Sequence, residues 1–146
     1  MTDAEFVAEV VVPGAARGAV LRLDEPLSMW GGLDPHDGTI IDARHPQVGA
    51  CTTGTVVVMA TGRGSSSASS VLVEAIALGT APAAFVLGET DNIIALGAVV
   101  ASELYGTEVP VVVAAPQLMA ALTTGRVAAL SADGRVVVRD AAASCT

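Results

Sequence analysis

The stretch Gly62-Arg63-Gly64-Ser65-Ser66-Ser67-Ala68-Ser69 follows directly on an apolar run, "TVVVMAT" (55–61). Two glycines flank one arginine ahead of a row of hydroxyls, where a strand is expected to turn into a helix. Glycines there permit positive φ and close approach of the backbone. If the helix begins near Ser66, the N–H groups of residues 65 to 67 point out unpaired at the positive end of its dipole. Such a place binds carboxylate or phosphate oxygens, and Arg63 adds a planar fork of donors. A serine hydroxyl held in that field has its alkoxide form favoured, which makes Ser65 a candidate general base. Serines at a helix start are equally ordinary N-caps, and the residues alone leave both readings open. The pattern is not a Walker A loop, since it lacks the lysine, nor G-x-G-x-x-G, nor G-x-S-x-G.

A second polar stretch, "SMWGGLDPHDGTIIDARHP" (28–46), stands out in so apolar a chain. It sets Trp30 beside Gly31-Gly32 and continues through Asp34, Asp42, Arg44 and His45. Long loops of this kind often carry function. His36 and His45 both lie in turn-rich segments without H-x-x-x-H spacing, so no metal site is expected on the chain. Cys51 and Cys145 form no C-x-x-C pair and read as small hydrophobes.

Composition narrows the chemistry further. All seven basic residues are arginine, which excludes a Schiff-base lysine. A net charge of −8 with no basic cluster argues against nucleic acid and anionic membranes as partners. "MTDAEF" is acidic and unlike a signal peptide, so a cytoplasmic location is expected. The uncharged run 109–125 is interrupted by Pro110, Pro116 and Gln117 and makes a poor membrane span.

The elements that must position these residues follow from periodicity. Residues 5–12 and 18–23 read as strands, the first stopped by Pro13-Gly14. A Gly-, Pro- and Asp-rich loop follows, with turns at Asp34-Pro35 and Asp37-Gly38. Residues 55–60, 83–87 and 109–114 are β-branched or apolar runs expected as buried strands. Between them lie two helices. The first runs from about Ser66 to Leu78, buries Val71, Leu72, Ala75, Ile76 and Leu78, and is closed by Gly79. The second, 93–106, sets Ile93, Leu96, Val100 and Leu104 on one side, with Gly106 as its stop. Pro116 begins a short helix over 116–125. Residues 127–140 form a hairpin across Asp133-Gly134, and 140–146 a flexible tail. The expectation is one α/β domain over 1–146, a barrel or split sheet with a parallel βαβ core and helices on one side.

Three segments in order, "SMWGGLDPHDGTIIDARHPQVG" (28–49), "GRGSSSASSVLVEAI" (62–76) and "PAAFVLGETDNIIALGAVVASELYG" (82–106), resemble the swivel-domain small subunit of the aconitase X family. The likeness covers most of residues 5–115. It implies a swivelling β/β/α barrel that closes over a large subunit carrying an iron centre, either iron–sulfur or mononuclear, with no cofactor on this chain. Family members are dehydratases of small carboxylate substrates, and the swivel domain supplies a serine that takes a proton from the carbon next to a carboxylate. The matching serine here is Ser65. Arg63, Gly64, Ser66 and Ser67 would then bind substrate, and Trp30, Gly31, Gly32, Asp34 and His45 would be loop contacts. "GRGSSSAS" and "ASELYGTEVPVVV" are closer to the cis-3-hydroxy-L-proline type than to the phosphomevalonate type, which tends to read Gly-Ser-Thr after the arginine. The absence of lysine also leaves less positive charge for a phosphate. Met29 before Trp30 departs from the aromatic often found there. A phosphohistidine-carrier swivel domain would place a histidine where this chain has serines, and a non-catalytic regulatory subunit is the remaining alternative.

Overall fold

The computed structural model describes residues 3–62 and 67–140. Its strands are β1 (Ala4–Val7), β2 (Glu9–Val12), β3 (Ala16–Arg22), β4 (Val56–Met59), β5 (Ala84–Leu87), β6 (Val111–Val113), β7 (Val127–Leu130) and β8 (Arg135–Arg139). They form one sheet in the order β1-β8-β7-β3-β4-β5-β6-β2. Only Ala8 separates β1 from β2, so the two ends of that order belong to one extended run. Its first half pairs antiparallel with β8 and its second half antiparallel with β6. The sheet therefore comes round on itself as a nearly closed barrel, which removes its free edges. β3, β4, β5 and β6 are mutually parallel, as the βαβ pattern in the sequence requires.

Helix α2 (Ala68–Leu78) crosses from β4 to β5, and α3 (Asn92–Tyr105) from β5 to β6. Gly79 and Gly106 adopt left-handed backbone at their C-termini, the conformation that ends a helix most easily at glycine. A short helix, α4 (Pro116–Ala121), starts with proline in its first turn. Its C-terminal carbonyls are bound by arginines from elsewhere: Arg22 Nη1 donates to Met119 O and Leu122 O, and Arg126 Nη1 donates to Ala121 O.

Side-chain alternation sorts the strands into two packed layers. Val20, Val56, Val58, Ala84, Val86, Val112, Ala128, Val136 and Val138 fill the barrel, closed at one side by Leu118 of α4 and Leu122 just after it. Val57, Met59, Phe85, Leu87 and Val111 face outward against Leu72, Ala75 and Ile76 of α2 and Ile94, Ala98 and Ala101 of α3. Fully burying one such aliphatic side chain stabilises by about 1.5–3 kcal/mol. The ion pairs Arg139–Asp3 (3.3 Å) and Arg135–Glu5 (3.9 Å) beside the β1–β8 ladder are roughly half-exposed and contribute about 0–1 kcal/mol each. Aliphatic packing, not charge, closes the barrel.

Three expectations are corrected. In α3 the buried face is Ile94, Gly97, Ala98 and Ala101, while Leu96 and Leu104 are 55% and 64% exposed. The reason is close helix approach: a Cβ added at Gly97 would lie 3.1 Å from Leu72 Cδ2 and 3.1 Å from Ser69 O. The small side of α3 is turned to α2, and the bulky residues fall outside. Leu78, the last residue of α2, is likewise on the exposed side, 52% accessible. The region after β3, expected as loop, holds an irregular helical turn, α1 (Met29–Gly32), and the bridges Leu33↔Ile40 and Thr39↔Cys51. Its Leu27, Met29, Leu33 and Ile40 are buried in the outer layer.

Candidate active site

Parallel strands place their following loops side by side, and ligands bind outside those C-terminal ends. Arg22 pairs with Val58, Met59 with Leu87, and Leu87 with Val113. The segments Arg22–Pro26, Ala60–Gly62 and Gly88–Asp91 therefore share one edge. Between the ends of β3 and β4 lies a cleft of about 200 Å³, lined among others by Asp24, Glu25, Ala60 and Met119.

The stretch singled out by the sequence begins at this edge with Gly62, and the described chain resumes at Ser67. Arg63, Gly64, Ser65 and Ser66 lie outside the described residues. Ser67 is exposed, with helical φ and ψ (−67° and −17°), and its side chain makes no capping bond to α2. The ordinary capping role is thus not taken by the serine that directly precedes the helix.

Gly62 lies against Asp91, the residue that starts α3. A Cβ at Gly62 would overlap Asp91 Oδ2, with Cγ at 2.9 Å, so any larger residue here would have to push the Asp91 carboxylate aside. Asp91 Oδ1 accepts from Ile93 N (2.8 Å) and Ile94 N (3.0 Å), a complete N-cap. Sequence reasoning missed Asp91. The usable signal was an aspartate immediately before the apolar pattern of α3, in "GETDNII".

The polar stretch 28–46 divides into parts with different places. Met29 lines the same small space as Gly62 and Ala68, which brings α1 to the start of α2. Trp30, 61% exposed, and exposed Gly31, with φ of 77°, follow it; Gly32 is buried against Leu27. Asp34 is elsewhere. Its neighbour Pro35 accepts through its carbonyl from Thr80 Oγ1, beyond the C-terminus of α2. Eleven residues of helix put that end about 16 Å from the start. The Asp34 carboxylate serves its own turn, accepting from His36 N at 2.9 Å. Proximity of Asp34 to the 62–67 turn is therefore not found.

His45 is 4% exposed and fully engaged. Nδ1 accepts from Gln47 N (3.0 Å), so Nε2 carries the proton and donates to Glu25 O (2.9 Å). Gln47 extends the brace: its Oε1 accepts from Asp24 N (3.2 Å) and its Nε2 donates to Arg22 O (3.1 Å). His45 and Gln47 thus hold the loop after β3 at the shared edge, His45 from a buried position behind it. Gln47 carried no signal beyond its polarity.

Asp24, Glu25, Glu89 and Asp91 make this edge acidic. The Arg22 guanidinium is committed to the carbonyls of α4, and Arg44 is exposed next to His45. Among the described residues no group of three or more His, Cys, Asp or Glu is placed to hold a metal ion. No described helix is long and apolar enough to cross a membrane.

A family model described as the aconitase X swivel domain matches residues 5–138. The chain is 45% identical over 106 residues, 73% of its length, to a cis-3-hydroxy-L-proline dehydratase of Pseudomonas aeruginosa, of which the match covers 18%. It is 40% identical over 97 residues to a phosphomevalonate dehydratase small subunit of Methanothermobacter thermautotrophicus, covering 66% of this chain and 74% of that one. A chain in the crystal structure of Thermococcus kodakaraensis aconitase X in its holo-form superposes with a TM-score of 0.83 at 29% identity, over 94% of this chain and 99% of that one. The chain thus spans 18% and 19% of two dehydratases it resembles in sequence.

Proposed function

The chain belongs to the aconitase X swivel-domain family, and from that premise we propose that it is the small subunit of a heteromeric dehydratase acting on cis-3-hydroxy-L-proline. The observation that carries this reading is the 45% identity to a dehydratase of that name, together with the acidic edge around the 62–67 turn. In the proposed step Ser65 takes the proton from the carbon beside the substrate carboxylate as the C–O bond on the neighbouring carbon breaks; the departing hydroxide takes up a proton from solvent to leave as water, and Ser65 returns its proton to solvent. Arg63 and the N–H groups at the start of α2 hold that carboxylate. Iron on the large partner chain would supply Lewis-acid help to that departure. The carboxylates Asp24, Glu25, Glu89 and Asp91 suit a substrate that carries an ammonium near its carboxylate. A dianionic phosphate would bring further negative charge toward the same carboxylates and be less favoured there.

The second reading, a phosphomevalonate dehydratase small subunit, draws on chain organisation. The relatives of that name are small subunits of which this chain covers 69–74%, for example those of Methanothermobacter thermautotrophicus and Thermococcus onnurineus. The deciding experiment co-expresses this chain with its large partner and assays the pair on both substrates. Turnover of cis-3-hydroxy-L-proline alone is expected. Turnover of phosphomevalonate alone would transfer the assignment to the second reading. The isolated chain is expected to be colourless and inactive, and stoichiometric iron or turnover in it would contradict the subunit reading.

A further inference from the structure

We propose that His45 is a proton-sensitive latch on the loop after β3: its neutral ring holds one wall of the cleft beside β4, and its protonated ring lets that wall go. The device is independent of which substrate the chain serves. Segment 22–26 supplies the wall, with Val58, Met59, Ala60 and Met119 opposite. The attachment of the wall changes along its length. Leu23 N still donates to Val58 O (2.8 Å), as a continuation of β3. From Asp24 to Pro26 the loop makes two hydrogen bonds among the described residues, and both go to the turn 45–47. Asp24 N donates to Gln47 Oε1 (3.2 Å), and Glu25 O accepts from His45 Nε2 (2.9 Å).

The partners of the ring fix its protonation state. Gln47 N can only donate and Glu25 O can only accept, so Nδ1 presents a lone pair and Nε2 carries the proton. An imidazolium has N–H at both positions. Protonated Nδ1 would face Gln47 N across 3.0 Å, donor against donor, at a residue that is 4% exposed. The charged groups on the segments that meet at the ring are Asp24 and Glu25 on the loop and Asp42 and Arg44 on the turn before His45. Asp42 Oδ1 accepts from Arg44 N, and the Arg22 guanidinium at the base of the loop is bound to carbonyls of α4. Among the described residues no carboxylate is hydrogen-bonded to the ring to stabilise its charged form. A buried donor left without an acceptor is costly, so the turn yields. Gln47 moves with it, and its side chain carries the bonds to Asp24 N and Arg22 O. Nε2 goes on donating to Glu25 O, so the wall opens at Asp24 while it stays tied at Glu25.

The test is amide hydrogen exchange in the full chain, compared at about pH 7.5 and about pH 5.5, an interval in which histidine changes charge. It is read as protection factors, so that the intrinsic pH dependence of exchange cancels. Protection at Asp24 and Gln47 is expected to fall about tenfold at the lower pH, while that of Leu23, held by Val58 O, stays constant. Ring nitrogen chemical shifts at the higher pH should show the Nε2–H tautomer. His45→Asn sets a carbonyl oxygen near the position of Nδ1 and cannot be protonated there, so its Gln47 protection should be the same at both pH values. Where that variant does not fold, the wild-type comparison decides alone. Constant wild-type protection at Asp24 and Gln47 would overturn the latch, and so would an Nδ1–H tautomer at the higher pH. An equal fall in His45→Asn would assign the change to the nearby carboxylates and overturn it as well.

Discussion

Two helices start at the same sheet edge, from neighbouring parallel strands, and they start in opposite ways. The α3 helix begins conventionally: Asp91 has extended backbone and its carboxylate satisfies the N–H groups of Ile93 and Ile94. The α2 helix follows the sequence Gly-Arg-Gly-Ser-Ser-Ser, and the serine immediately before it, Ser67, contributes no side-chain cap. A fold that needed only a stable helix start would have repeated the first solution. The contrast fits the proposed division of labour, in which the α3 junction carries stability and the stretch before α2 carries chemistry.

Substitutions can break this contrast, and the largest effect is expected at Ser65. In the reconstituted pair, Ser65→Ala should lower turnover by roughly 10²–10⁴-fold, the usual worth of a positioned base, with the melting temperature nearly unchanged. Turnover close to wild type would remove Ser65 from the chemistry and make both junctions structural. Next in size is Gly97→Leu, which forces a side chain between α3 and α2 where even a Cβ is close to Leu72. It should destabilise by about 1–3 kcal/mol, read as a shift of the denaturation midpoint. A shift near zero would mean that the two helices do not hold each other in place.

Arg63→Lys should raise KM about tenfold, near 1.4 kcal/mol, by loss of one charge-assisted bond of a bidentate pair. Steady-state kinetics at saturating substrate should show turnover much less affected. The smallest pair of effects sets the two helix starts directly against each other. Asp91→Ala should cost about 1 kcal/mol of stability as a lost cap, while Ser67→Ala should stay within about 0.5 kcal/mol. Equal losses in urea titrations would erase the distinction between the junctions.

The candidate turn was legible because its oddity is local: glycines, an arginine and serines directly after a β-branched run. The roles around it were not. His45 read as a loop contact, yet it is buried with both ring nitrogens engaged. Whether a histidine in a Pro-rich turn faces solvent or braces a neighbouring strand depends on which backbone groups arrive beside it. Asp34 stood only a few residues from Trp30 in the chain, but the Leu33↔Ile40 bridge and the Thr80–Pro35 bond draw it toward the other end of α2. Asp91 escaped notice because a capping aspartate is common, and its second contact is with Gly62, remote in sequence.

What the amino-acid sequence determined by itself was the set of elements and their order. Runs such as "TVVVMA" and "AAFVL" became β4 and β5, Gly79 and Gly106 ended α2 and α3, Pro116 began α4, and Asp133-Gly134 turned the β7–β8 hairpin. These outcomes follow from sterics within a few residues, so they are written where they act. The tertiary structure decided which surfaces meet. It split the run 4–12 between β8 and β6 to close the barrel. It also buried the small face of α3 in place of its bulky one, and it brought Gly62 against Asp91. Such choices depend on the shapes of distant partners, because close packing rewards the face that fits and not the face with the largest side chains.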